Sequence, residues 1–73
     1  MAAGWISSLI RGSSYGFIVE DGGREEIEFH WTAVAASELD RLEVGQRVEF
    51  EKRQDQRDEN RIRAVNVRLI QEK

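Results

Sequence analysis

The sequence predicts a small all-β domain in which five short strands close into a barrel or a sandwich. Three observations carry this reading. Glycines punctuate a chain without proline, at Gly4, Gly12, Gly16, Gly22, Gly23 and Gly45. Between them lie short runs of β-branched and aromatic residues at close spacing. The 73 residues are one domain's worth of chain, residues 1–73, with apolar side chains for one small core. Closing the sheet removes the exposed edges that invite aggregation.

The first run is Trp5 to Ile10 and the second is Tyr15 to Val19. Tyr15 and Phe17 are two apart, so on a strand both rings point to one side. Glu20-Asp21-Gly22-Gly23 reads as a hairpin turn, because glycine takes positive φ without strain. The third run, Glu26 to Trp31, alternates. Ile27, Phe29 and Trp31 fall on one side, and Glu26, Glu28 and His30 on the other. The fourth, Arg47 to Lys52, sets Val48 and Phe50 against Arg47, Glu49 and Glu51. The fifth is Ile62 to Ile70. Thr32 to Val44 reads as a long connection holding a helical or 3₁₀ turn, capped by Thr32 or Ser37, and the spacing Leu39-x-x-Leu42 suits one turn on a surface. Arg53 to Asn60 is wholly charged or amide and reads as a solvated, mobile loop.

Composition excludes several functions. Without cysteine there is no disulfide and no thiolate metal ligand, and one histidine makes no metal site. Absence of cysteine fits a reducing compartment, so a cytoplasmic protein is expected. No apolar run reaches the roughly 18 residues of a membrane span. Met1-Ala2-Ala3-Gly4 carries no basic residue and no long apolar stretch follows, so no signal peptide is expected. No catalytic constellation is present, and neither an enzyme nor a cofactor is expected. Eleven basic and fourteen acidic residues give a net charge of −3. Residues 1–36 hold only Arg11 and Arg24 against five acidic groups, whereas residues 37–73 are balanced. Bulk charge alone would not grip a nucleic acid.

At Tyr15-Gly16-Phe17-Ile18 the chain resembles the cold-shock domain family. That family's first motif runs Lys-Gly-Phe-Gly-Phe-Ile, and here it reads Ser13-Ser14-Tyr15-Gly16-Phe17-Ile18. Its second runs Val-Phe-Val-His-Phe, and here it reads Ile27-Glu28-Phe29-His30-Trp31. Leu42-Glu43-Val44-Gly45-Gln46-Arg47-Val48-Glu49-Phe50 and Ala64-Val65-Asn66-Val67 are similar to two later stretches, and Gly4 and Ile6 match the start of the first strand. The resemblance spans Gly4 to about Leu69 in the correct order. It implies a five-stranded antiparallel OB-fold barrel of the cold-shock type. The departures are functional: Ser8 stands for a stacking tryptophan, Ser13 for a lysine, Glu28 for a stacking phenylalanine, and Trp5 for a lysine.

The resemblance also implies single-stranded RNA or DNA binding. Tyr15, Phe17, His30 and Trp31 would stack on bases, and Arg11 and Arg57 would contact phosphates. Trp31 can do so only by leaving the core side at the end of its strand. With two stackers replaced, at roughly 1–3 kcal/mol each, binding is expected to be weak and to show little sequence preference. The residues leave other readings open. Tyr15 and Phe17 could pack inward, and His30 could be an ordinary histidine on an open side. Trp5 could cover the barrel's edge, stack on a base or touch a protein. The arginines at 53, 57, 61, 63 and 68 are interleaved with acids. They could form weak ion pairs or supply phosphate contacts, with Arg57 and Arg61 as the best candidates. The alternative function is a protein-interaction module that docks a partner through Trp5 or the acidic hairpin Glu20–Glu28.

Overall fold

In the computed structural model, which describes residues 1–58 and 60–70, five strands close into a barrel. Glu59, part of the loop expected to be mobile, and residues 71–73 lie outside the described residues. The strands are β1 (Ala2–Ile10), β2 (Tyr15–Glu20), β3 (Glu26–His30), β4 (Arg47–Gln54) and β5 (Ile62–Leu69), in the spatial order β1-β2-β3-β5-β4. The ladders β1–β2, β1–β4, β2–β3 and β4–β5 are antiparallel. The β3–β5 seam is parallel, with Glu28 opposite Arg63. A second parallel bridge, Val34 to Val67, continues past that seam.

Each strand sends its inward residues to one core. β1 supplies Ile6, β2 Ile18, β3 Phe29, β4 Val48 and Phe50, and β5 Ala64 and Val67. Burial of such side chains stabilises by roughly 1.5–3 kcal/mol each. The connection closes one end of the barrel. Val34 and Leu42 are buried there and Leu39 packs against them. The Leu39-x-x-Leu42 spacing thus gives the turn one apolar side, which covers the open barrel end.

Several boundaries differ from the sequence reading. β1 begins at Ala2 because Ala2–Trp5 pair with β4. β3 ends at His30, and Trp31–Ala33 form a 3₁₀ turn. The cap of that turn is the His30 side chain, whose Nδ1 accepts the Thr32 N–H at 3.1 Å. The second turn, Ala36–Arg41, starts without a side-chain cap, so neither Thr32 nor Ser37 caps as expected. β4 runs on to Gln54, which moves Arg53 and Gln54 from the loop into the sheet. The loop beyond carries hydrogen bonds of its own. Asp55 Oδ1 accepts from the Arg57 N–H at 2.9 Å, Asp58 Oδ1 from the Asn60 N–H at 3.0 Å, and the Asp55 N–H donates to the Arg61 carbonyl at 2.9 Å. Short acidic side chains that fold back on the following backbone favour such turns.

Two residues explain motif positions. Gly16 faces inward between Leu9 and Phe29 in the ladders. A Cβ there would lie 2.9 Å from two carbons of the Phe29 ring and 2.8 Å from the Ser8 carbonyl oxygen. Asn66 sits at φ 51 where β5 carries one extra residue, since Glu49 pairs with Arg68 but Glu51 with Val65. Asparagine tolerates the left-handed region better than most side chains. The bulge resets the alternation so that Ala64 and Val67 both point inward.

Gly16→Ala is expected to destabilise the fold by about 1–3 kcal/mol, because the methyl group meets an aromatic ring and backbone that cannot withdraw. Gly12→Ala, where the added carbon meets nothing within 4 Å, is expected to be neutral or stabilising by up to about 1 kcal/mol. Urea melts of the two variants check this; equal stabilities would contradict the packing described.

Candidate functional site

The ladders set the outer residues in rows. Ser8, Phe17, Glu28, Arg63 and Arg53 are successive partners from β1 through β2, β3 and β5 to β4. Ile10, Tyr15 and His30 form the next row. Tyr15 and Phe17 therefore point outward together. Their ring centroids are 5.6 Å apart with planes at 84°, an edge-to-face arrangement that aromatic pairs prefer. Ser7 is the extra residue of a β1 bulge between Ile6 and Ser8. Its hydroxyl donates to Glu26 Oε2 at 2.7 Å.

Two grooves flank the β3–β5 seam. One, of about 840 Å³, runs from Glu28, His30 and Thr32 to Arg53, Arg57, Arg61 and Arg63. The other, of about 500 Å³, is bounded by Phe17, Arg24, Lys52 and the acidic hairpin. Glu28, Arg61 and Arg63 line both. Among the described residues, Arg57, Arg61 and Arg63 make no ion pair, so their charge is available to an anion. His30 Nδ1 accepts the Thr32 N–H at 3.1 Å. The neutral ring then carries its proton on Nε2, which makes that atom a donor.

Of the residues expected to act, Tyr15, Phe17 and His30 come together, and Arg57 lines the groove beside His30. Arg11 does not join them: its Nη2 donates to the Leu42 carbonyl at 3.3 Å and ties the 3₁₀ turn Arg11–Ser13 to the long connection. Trp31 does not leave the core side. Its backbone N–H donates to the Ser14 carbonyl at 2.9 Å, and the partly buried ring packs against the core with Nε1 buried. The strand stops at His30 and the tight turn keeps the following ring underneath. Arg53 and Arg63, named with the other C-terminal arginines but not preferred among them, line the same groove. Alternation along the fifth run places Arg63 opposite in phase to Ala64, which is the signal that finds it.

Trp5 is 37% exposed and pairs with Val19 on one side and Arg47 on the other. Val19 is 9% exposed yet lies outside the core cluster, so its cover comes from cross-strand neighbours on the outer side. Three of the five carboxylates of the acidic hairpin are satisfied within the molecule. Glu20 meets Lys52 at 3.0 Å, Glu26 takes the Ser7 hydroxyl, and both oxygens of Asp21 meet Arg47 at 2.6 Å.

Comparison with known proteins agrees with this geometry. The family model of the 'Cold-shock' DNA-binding domain matches residues 2–70. The chain belongs to the cold-shock domain family. It is 36% identical over 70 residues to Cold shock-like protein CspA of Stigmatella aurantiaca (strain DW4/3-1), covering 96% of this chain and 98% of that protein. It superposes on the solved structure of drosophila Unr CSD456 with a TM-score of 0.78 and 25% identity over 96% of this chain, and it spans 26% of that longer chain. Cold-shock domains generally bind single-stranded nucleic acid. In this cold-shock domain the row through Phe17 carries a serine and a carboxylate at its neighbouring positions, and the arginines collect at the far end.

The hydrogen bonds from Arg47 hold the Asp21 carboxyl below the ordinary value of 3.8. A carboxylate favoured in the folded state stabilises the fold fully above its unfolded pKa, and that contribution fades as pH falls through the folded value. Wild type should therefore lose stability below about pH 4 more steeply than Asp21→Asn. Thermal melts from pH 6 to pH 2.5 check this; parallel acid limbs would show that the pair contributes nothing.

Proposed function

We propose that this cold-shock domain binds single-stranded RNA or DNA weakly and with little sequence preference. Bases would stack on Tyr15 and Phe17 beside the His30 Nε2 donor. Arg57 would contact phosphate together with Arg53, Arg61 and Arg63. The observation that carries this is one outward cluster of three ring side chains next to a groove lined by four arginines. Aromatic rings accept the π-face of any base, which gives affinity without reading sequence. The 84° between the two ring planes bears on the ligand as well. Bases stacked on both rings cannot stay parallel, so the strand would bend between them, with its bases unpaired and free to present their faces.

Weakness follows from the same row. Ser8 and Glu28 stand where the family stacks bases, and each lost stack costs roughly 1–3 kcal/mol. Together that is about two to four orders of magnitude in affinity. Glu28 also repels phosphate. The arginines on β4, β5 and their loop restore attraction on the opposite side from β1.

Fluorescence anisotropy with a labelled pyrimidine-rich strand tests the proposal. Saturable binding is expected. If three or four phosphates are met, log affinity should fall with log salt at a slope of about −2 to −3. Tyr15→Ala and Phe17→Ala should each weaken binding by roughly 5- to 150-fold. Arg57→Ala should lower the salt slope by about 0.7 and leave base preference alone. A folded protein that shows no binding at high micromolar strand would overturn the reading and direct attention to a protein partner at Trp5.

A further inference from the structure

Glu28 has neighbours unlike those of the other carboxylates in the hairpin. It is the ladder partner of Phe17 on one side and of Arg63 on the other. It is partly buried and lines both grooves where they meet. Among the described residues Glu28 and the exposed Glu25 make no ion pair and no side-chain hydrogen bond, whereas Glu20, Asp21 and Glu26 are engaged, so Glu28 is the partly buried carboxylate of the hairpin left unpaired. An acceptor with free lone pairs therefore sits beside the Phe17 ring, at the place where the edge of a stacked base would come.

We propose that Glu28 selects one base of the bound strand, favouring guanine over uracil or thymine at the position that stacks on Phe17. This rests on the single-strand reading above and adds one readable position to an otherwise unselective surface. An ionised carboxylate only accepts hydrogen bonds. Guanine offers N1–H and N2–H side by side, which match the two carboxylate oxygens as a bidentate pair. Cytosine and adenine each offer one amino group, the donor type that Glu and Asp accept in base recognition. Uracil and thymine offer a single N3–H flanked by two carbonyl oxygens, which turn like partial charge toward the carboxylate. The residue therefore discriminates by rejecting one class as much as by holding another. Arg63, next in the row, is placed to meet the phosphate of the same nucleotide and offset the charge of Glu28.

The test uses three labelled strands: a uridine heptamer, the same strand with one central guanosine, and the same with one central inosine, which lacks the N2 amino group. Wild type should bind the guanosine strand on the order of tenfold more tightly than the uridine heptamer, with inosine between. Glu28→Gln keeps the side chain's size and removes its charge. It should bring the guanosine-to-uridine ratio below about twofold while tightening uridine binding. Equal binding of the three strands by wild type, or a guanosine preference that survives Glu28→Gln, overturns the inference and leaves the single-strand reading standing. Failure of wild type, Glu28→Gln and Glu28→Phe to bind any of the strands overturns the single-strand reading itself.

Discussion

The Phe29 ring lies on the bare backbone of Gly16, at a distance that leaves no space for a β-carbon. Phe29 is fully buried and its strand is the central one of the β2–β3–β5 stretch. Because Gly16 takes the inward position without a side chain, its neighbours Tyr15 and Phe17 must point outward. The same residue that lets the core close therefore creates the aromatic pair. Glycine within a strand usually marks close approach of another group, and here that group is a fully buried phenyl ring of the core. The site and the core are two consequences of one contact.

The second constraint is the β3–β5 seam. Antiparallel ladders elsewhere hold the strands along most of their length. Glu28 and Arg63 form the register pair at the parallel seam, and grooves open on either side of it. The long connection from Trp31 to Gln46 crosses the barrel end and brings the chain back so that β5 runs beside β3 in the same direction. That path is sealed by Val34 and Leu42. The grooves are thus where the topology leaves the sheet least paired, and the arginines of β4, β5 and their loop border them. A net charge of −3 conceals this, because much of the acidity lies in the hairpin, where Lys52, Arg47 and Ser7 meet it.

Most of the fold was legible because its signals are local. Glycines mark the turns, and strict alternation in Glu26–His30 and Arg47–Phe50 sets which side is buried. Tyr15, Phe17 and His30 could be grouped from period alone once β2 and β3 are taken as neighbours. Trp31 and Arg11 could not. Trp31 lies one residue beyond β3, where a side-chain cap from His30 starts a turn, and alternation says nothing about a turn. Arg11 is drawn to the Leu42 carbonyl, a partner 31 residues away that only the closed barrel end supplies. The place of Arg53 in the sheet was hidden for a different reason. A run of charged and amide residues reads as loop by composition, yet pairing with Ile62–Arg63 keeps Arg53 and Gln54 in the sheet.

On the proposed function, the row Ser8–Phe17–Glu28–Arg63–Arg53 is a surface that shifts its work without a change of fold. Neither Ser8 nor Glu28 supports the core, since both are outward partners of Phe17. Replacing stacking rings there costs affinity but little stability, because exposed strand positions tolerate polar side chains on the solvated side. What the row loses at β1 it regains as positive charge at β5 and β4. A strand held by such a row is gripped by one ring in the middle and by phosphate contacts at one end. Under the proposed binding, its affinity would depend more on salt and less on stacking area than that of a row with three rings. The unpaired carboxylate between ring and guanidinium would then act in both directions on a bound base, holding one that donates to it and penalising one that turns carbonyl oxygens toward it.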